Sequence, residues 1–156
     1  MPLRFRPVPV FALLALAASG ATAHASDPAE AMVRFEVVGD AIPGSLTGRS
    51  GDVARGRRVV LERENGNCLI CHNVPEPQER FQGDLGPPLA GVGSRLTAAQ
   101  IRLRLVDQTR LNAATIMPAY YRIDRLVRVA ERYAGKPVLS AAEIEDAVAY
   151  LASLRD

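Results

Sequence analysis

The stretch "ENGNCLICHNVP", residues 64–75, decides how the rest of the chain is read. Cys68 and Cys71 stand three apart and His72 follows at once. They are the only 2 cysteines in 156 residues. Four chemistries use such a pair: a disulfide, a metal site, a nucleophile, or the covalent attachment of a cofactor.

The start of the chain narrows the choice. "MPLRFRPVPVFALLALAASGATAHA" carries Arg4 and Arg6, then an apolar run from Val8 to Ala18, then small residues ending Ala23-His24-Ala25. That order is a secretory signal and predicts export with cleavage after Ala25. A spanning helix needs about 20 apolar residues; this run is about half that and has Pro7 and Pro9 at its start. No later stretch is long and apolar enough, so no membrane span is expected in the mature chain.

Losing Arg4 and Arg6 takes the 19 basic residues to 17, matching the 17 acidic ones. A formally neutral mature chain gives no electrostatic case for nucleic acid. His24 leaves too, so His72 becomes the only histidine of the mature chain. What remains, about 130 residues, suits one domain with one core. Outside the cytoplasm a free C-x-x-C pair does not stay reduced.

The chain divides into a signal (1–25), an N-terminal extension (26–50) and a helical domain (51–156). In the extension, "VRFEVV" reads as a short strand or as irregular chain, and "GDAIPGSLTGRSGD" as loop. From Asp52, the expected N-cap, "DVARGRRVVLEREN" has helical spacing, with Val53, Gly56 and Val60 on one side. Gly56 inside a helix costs about 1 kcal/mol relative to Ala, which close packing would explain.

Two later helices begin with the same grammar. "LTAAQI" (96–101) and "LSAAEI" (139–144) each pair an N-cap Thr or Ser with Gln or Glu three residues on, and flank it with an apolar staple. The last helix is expected to run to about Leu154. A further helix is expected over Arg122–Tyr133, ending near Gly135. "NAATIMPAYY" between them reads as loop. The result is a mostly α chain with long loops.

The cysteine options now separate. A thioredoxin-like pair wants a preceding strand and a βαβ setting. Structural zinc wants four ligands, and the mature chain has three Cys and His residues in all. A nucleophile wants a separate base, and the only histidine belongs to the cysteine's own turn. A plain disulfide leaves His72 unused. C-x-x-C-H as a whole is the c-type haem attachment sequence. Residues i and i+3 of a helical turn face the same way, so both sulfurs reach the haem edge and His72 falls under the iron.

The opposite side of the iron needs its own ligand for an electron-transfer site. With no second histidine, Met117 in "TIMPAYY" is the candidate, since Met32 lies near the new N-terminus. Pro118 stiffens the segment after it. "GDLGPPLAG" (83–91) suits another task. A ligating histidine usually donates its other ring N–H to a carbonyl, and Pro87 is the expected acceptor. Leu89 is expected to pack on the haem.

At this point the residues resemble a family. C-x-x-C-H early, Gly-Pro-x-Leu next and a Met-Pro loop later look like a class I cytochrome c. Gly56 with Tyr150 matches the small-plus-aromatic pair where the first and last helices of that fold cross. More narrowly, "VVGDAIPGSLTG", "ERFQGDLGPPLAGVGSRL", "LRLRLVDQTRLNAATIMPAYYRID" and "RVAERYAGKPVLSAAEIEDAVAYLASL" resemble SoxX, across about residues 33–154.

That resemblance implies an all-α class I cytochrome c fold, with several helices wrapped around one covalent haem c. It implies a periplasmic heterodimer with a SoxA-type cytochrome subunit, which oxidatively couples thiosulfate to a carrier-protein cysteine. This chain would be the electron-transfer subunit, handing electrons to a downstream acceptor cytochrome. Carried over by motif, Cys68 and Cys71 hold the haem, and His72 and Met117 ligate the iron. No catalytic residue is expected here, because both cysteines are consumed and a His/Met iron has no open position. The alternative is a free periplasmic class I cytochrome c carrier.

One charge feature remains. Between Gln100 and Arg132 stand arginines 102, 104, 110, 122, 125, 128 and 132, against Asp107, Asp124 and Glu131. They read as a basic rim for an acidic partner or for haem propionates. Most are expected to be ordinary solvated surface.

Overall fold

The structure is a computed structural model that describes residues 32–64 and 66–156. The expected signal, residues 1–25, and the first residues of the extension lie outside the described residues. Among the described residues four α-helices make the frame: α1 (Val53–Leu61), α2 (Val92–Arg95), α3 (Ala98–Asp107) and α4 (Ala141–Ser153). Single 3-10 turns lie at Cys68–Ile70, Gln108–Arg110 and Glu131–Tyr133. Among the described residues there is no strand, only one isolated bridge between Val38 and Ala41, so "VRFEVV" is irregular chain.

The helix starts follow their local chemistry. The Asp52 carboxylate accepts from the Arg55 amide at 2.8 Å and caps α1. Thr97 with Gln100, and Ser140 with Glu143, form complete capping boxes on α3 and α4. Each cap satisfies an amide that the helix itself leaves unpaired, worth about 1 kcal/mol.

The crossing of α1 and α4 is the main helix contact. Gly56 makes it possible. A Cβ there would overlap the Asp146 carbonyl and come within 2.9 Å of Tyr150 Cβ. The hydrogen side chain lets the two backbones touch, and that offsets its poor helix propensity. Arg55 then reaches over to Asp146 with Nε at 2.6 Å and Nη2 at 2.9 Å.

α3 packs on the other side of α4. Leu103, Val106, Ile144 and Val148 are buried between them, in one cluster with Val60 of α1 and Leu69. Ile42 and Leu46, from the chain before α1, enter the same cluster.

One expectation needs correction. Residues 122–130 form no helix; the chain takes left-handed φ of 54° at Arg125 and 57° at Arg128 before its 3-10 turn. The helical spacing of Ile123, Leu126 and Val127 has no face of this chain to pack on, since all three are exposed. Most helix stability in proteins comes from such packing.

Most of the arginine set is exposed, as expected, but Arg102 is not. Arg102 is only 6% exposed. It forks onto Glu145 of α4 at 2.7 and 2.9 Å and donates to the Ile42 carbonyl at 2.7 Å. Glu145 also accepts from the Leu46 amide at 2.8 Å. One buried ion pair thus joins α3, α4 and the segment before α1. Arg122 bonds Asp107 and Thr109, each at 3.0 Å. Arg125, Arg128 and Arg132 are exposed, as expected.

Candidate haem site

α1 ends at Leu61, and Asn67 turns the chain into the motif with φ 47°. Asparagine is among the few non-glycine residues that take this conformation readily. The Cys68 carbonyl then accepts from the Cys71 amide at 3.2 Å and the His72 amide at 2.9 Å. The whole C-x-x-C-H sequence is therefore a single helical turn, with residues 68 and 71 on the same side. Both cysteines are free thiols. Burial pushes the Cys68 thiol up to about 11, against an opposing hydrogen bond with Tyr120. Among the described residues, no three His, Cys, Asp or Glu side chains are grouped to hold a metal ion.

His72 is oriented by a carbonyl. Its Nδ1 lies 2.7 Å from Pro87 O. A carbonyl only accepts, so Nδ1 carries a proton, and in the neutral ring the lone pair is left on Nε2. Neighbouring bonds hold this loop against the turn. The Gly86 amide donates to Cys71 O at 2.7 Å and the Leu89 amide to Asn73 O at 2.8 Å. Arg95 of α2 clamps the outer side, donating to Ala90 O at 2.7 Å and Pro88 O at 2.9 Å. At Gly86 a Cβ would overlap the imidazole of His72. Pro87 is exposed, and Leu89 is half-buried against the core.

Met117 belongs to a separate segment. Its amide donates to Thr115 Oγ1 at 3.1 Å, and its side chain is half-buried against the core. Tyr120 joins this segment to the cysteine turn. Its hydroxyl donates to Gly66 O at 2.7 Å and neighbours Cys68, and its amide bonds Leu105 O of α3 at 3.1 Å. Burial, with Cys68 and Cys71 close by, raises the Tyr120 phenol well above its ordinary range. No bond ties Met117 directly to His72 among the described residues.

The loop after His72 is stapled to the helix crossing. Glu76 accepts from Arg57 of α1 at 2.7 and 2.8 Å and from the Tyr150 hydroxyl of α4 at 2.8 Å. Gln82 accepts from the Val74 amide at 2.6 Å and donates to Glu76 O and Glu79 O. Gly86, Arg95, Tyr120 and Glu76 are the supporting residues that sequence reasoning missed. Gly86 stood beside the expected Pro87 and carried the clearest signal; Arg95 acts on the loop just before it, while Tyr120 and Glu76 act across the fold and left none.

These residues fit a c-type haem. Two cysteines share one turn without a disulfide between them, the histidine beside them donates its Nδ1 proton to a carbonyl, and a glycine gives its ring room. Large apolar side chains stand exposed beside two of these residues: Leu85, next to Gly86, is 71% exposed and Ile116, next to Met117, is 75% exposed. Such side chains are what a flat apolar ring packs against.

No protein-family model matches the sequence, and no curated protein does. Among solved structures, SoxXA from P. pantotrophus contains a chain 36% identical to this one, with a TM-score of 0.73. The match covers 78% of this chain and 95% of that one. With this identity over almost the whole of the other chain, and with the helical frame and cysteine turn described above, this chain belongs to the family of SoxXA-type subunits.

Proposed function

We propose that this chain is a monohaem c-type cytochrome of the periplasm, acting as the electron-transfer subunit of a SoxXA-type complex. The observation that carries this reading is the bond from His72 Nδ1 to Pro87 O, 2.7 Å, within a C-x-x-C-H turn. It sets the tautomer and ring orientation that an axial ligand needs. In this reading the fold is that of a class I cytochrome c, and residues 51–156 are the haem domain behind an extension at 26–50.

Cys68 and Cys71 would hold haem c through thioether bonds, and His72 and Met117 would be the two axial ligands. Pro87 and Leu89 would line the pocket. Bound haem c supplies a one-electron iron couple. The chain's own residues set its character: a His/Met pair gives an electron-transfer site with a raised potential and no open position. The Gly86 loop keeps His72 Nε2 directed to one side, and Tyr120 ties the methionine segment to the cysteine turn.

Sulfur chemistry falls to other chains. Both cysteines are used for attachment, so this subunit offers no thiol and no catalytic residue. Its place is to accept electrons from a SoxA-type subunit that couples thiosulfate to a carrier-protein cysteine, and to hand them to an acceptor cytochrome.

The test uses the haem-loaded chain. Its reduced absorption spectrum is expected to ignore carbon monoxide, and Met117→Ala is expected to make it sensitive. A wild-type spectrum that shifts with carbon monoxide overturns the His/Met assignment. Purified from periplasm, the chain is expected to travel with a larger haem-staining subunit; a monomer throughout would favour a free carrier.

A further inference from the structure

Tyr120 and Tyr121 are buried, and their amides donate to Leu105 O at 3.1 Å and Val106 O at 3.2 Å. Leu139, also buried, donates to Tyr120 O at 3.1 Å. These bonds close a neck at the core. Residues 122–138 leave the core at one side of it and return at the other. Loops longer than about 12–15 residues are uncommon in compact domains and are usually functional when ordered.

Residues 123–132 are exposed without a break. Among the described residues, nothing hydrogen-bonds the backbone of 123–129. Four large apolar side chains stand on this stretch, Ile123, Leu126, Val127 and Val129, with Val127 86% exposed. Between and beside them are Arg125, Arg128 and Arg132, which outnumber Asp124 and Glu131. Arg125 and Arg128 hold left-handed φ of 54° and 57°, a conformation that non-glycine residues keep at functional segments more than elsewhere.

The helical core is closed without this loop, and the haem cradle is built from other segments. Exposed apolar side chains interleaved with arginine have the composition of a protein interface, where arginine is enriched and lysine depleted. The excess of positive charge selects a partner surface with an acidic rim. The neck places the loop five residues beyond Met117, next to the segment that Tyr120 fastens to the cysteine turn.

We propose that residues 123–132 are the surface on which this chain meets its SoxA-type subunit. Ile123, Leu126, Val127 and Val129 lie on an apolar patch of that subunit, while Arg125 and Arg128 face acidic side chains around it. The inference rests on the SoxXA-type reading above and adds to it the docking element.

The experiment titrates the haem-loaded chain with the SoxA-type subunit of the same organism, at low and high salt. Val127→Asp combined with Arg128→Glu is expected to raise Kd on the order of tenfold or more and to flatten its salt dependence. The absorption spectrum should not change. Val53→Asp, at an exposed apolar position on α1, is the matched control and should bind as the wild type does. Amides 123–129 should exchange with solvent rapidly in the free chain and slowly in the complex. If the wild type binds while the double variant binds equally well, or the amides stay unprotected, the docking inference is overturned and the SoxXA-type reading stands. If the wild type does not bind the subunit at all, the reading itself fails and takes the inference with it.

Discussion

The imidazole Nδ1 of His72 lies 2.7 Å from the carbonyl oxygen of Pro87, and the glycine just before that proline leaves space for the ring. These two residues are 15 positions apart, and their contact decides which ring nitrogen keeps a lone pair. Backbone bonds from Gly86 to Cys71 and from Leu89 to Asn73 hold them in register.

Gly86→Ala should therefore damage the site without touching a ligand. A Cβ there overlaps the His72 ring, so either the ring or the loop must move. Overpacking of this kind costs about 1–3 kcal/mol. The haem-loaded variant is expected to unfold at lower denaturant and to become sensitive to carbon monoxide when reduced. Wild-type behaviour in both measurements would mean that the loop yields freely and does not orient the histidine.

Arg102 and Glu145 form the buried pair most exposed to mutational loss. Glu145→Ala leaves a guanidinium stranded at 6% exposure and removes the acceptor of the Leu46 amide. Breaking one side of a buried pair costs about 3–5 kcal/mol. Replacing both, with Arg102→Met and Glu145→Leu, should recover part of that, because no unpaired charge remains. Urea denaturation of the three haem-loaded proteins measures the difference. A Glu145→Ala loss below about 1 kcal/mol, typical of exposed pairs, would show that water reaches the site.

Acid should weaken the link between the motif loop and the helix crossing. The hydrogen-bonded Arg57 guanidinium, helped by Tyr150 and Gln78 against the effect of burial, lowers Glu76 from its ordinary 4.5 to about 2. A carboxylate lowered in the folded state stabilises fully above its unfolded value, and that contribution disappears as pH falls through the folded value. The window is thus from about 4.5 down to about 2. Glu76→Gln is expected to be less stable than wild type at neutral pH and to converge on it through that window. Parallel stability profiles for the two proteins would remove Glu76 from the acid transition.

The features legible in the sequence were those decided within one turn of chain. The capping boxes at Thr97 and Ser140 and the Asp52 cap appear where expected, because a cap needs only a side chain and an amide three residues on. The same holds for the cysteine turn, which is closed by local bonds from the Ile70 amide to Asn67 O and from the Cys71 and His72 amides to Cys68 O. Gly56 was legible as a close-packing position through its poor helix propensity, and Asp146 and Tyr150 supply the surface it touches.

The rest depended on partners far away in sequence. Arg102 reads like its neighbours on α3, and only Glu145, 43 residues later, separates it from a solvated arginine. Residues 122–130 carry a helical pattern, yet a pattern yields a helix only when a surface covers its apolar face. The chain folds its core at Tyr120, Tyr121 and Leu139 and leaves that stretch outside. The sequence by itself determined that two thiols and an imidazole share one turn, because residue type and spacing are local properties. The tertiary structure decided which charges are buried, what holds His72 in place, and which apolar residues are left facing outward, because burial is a property of the assembled chain.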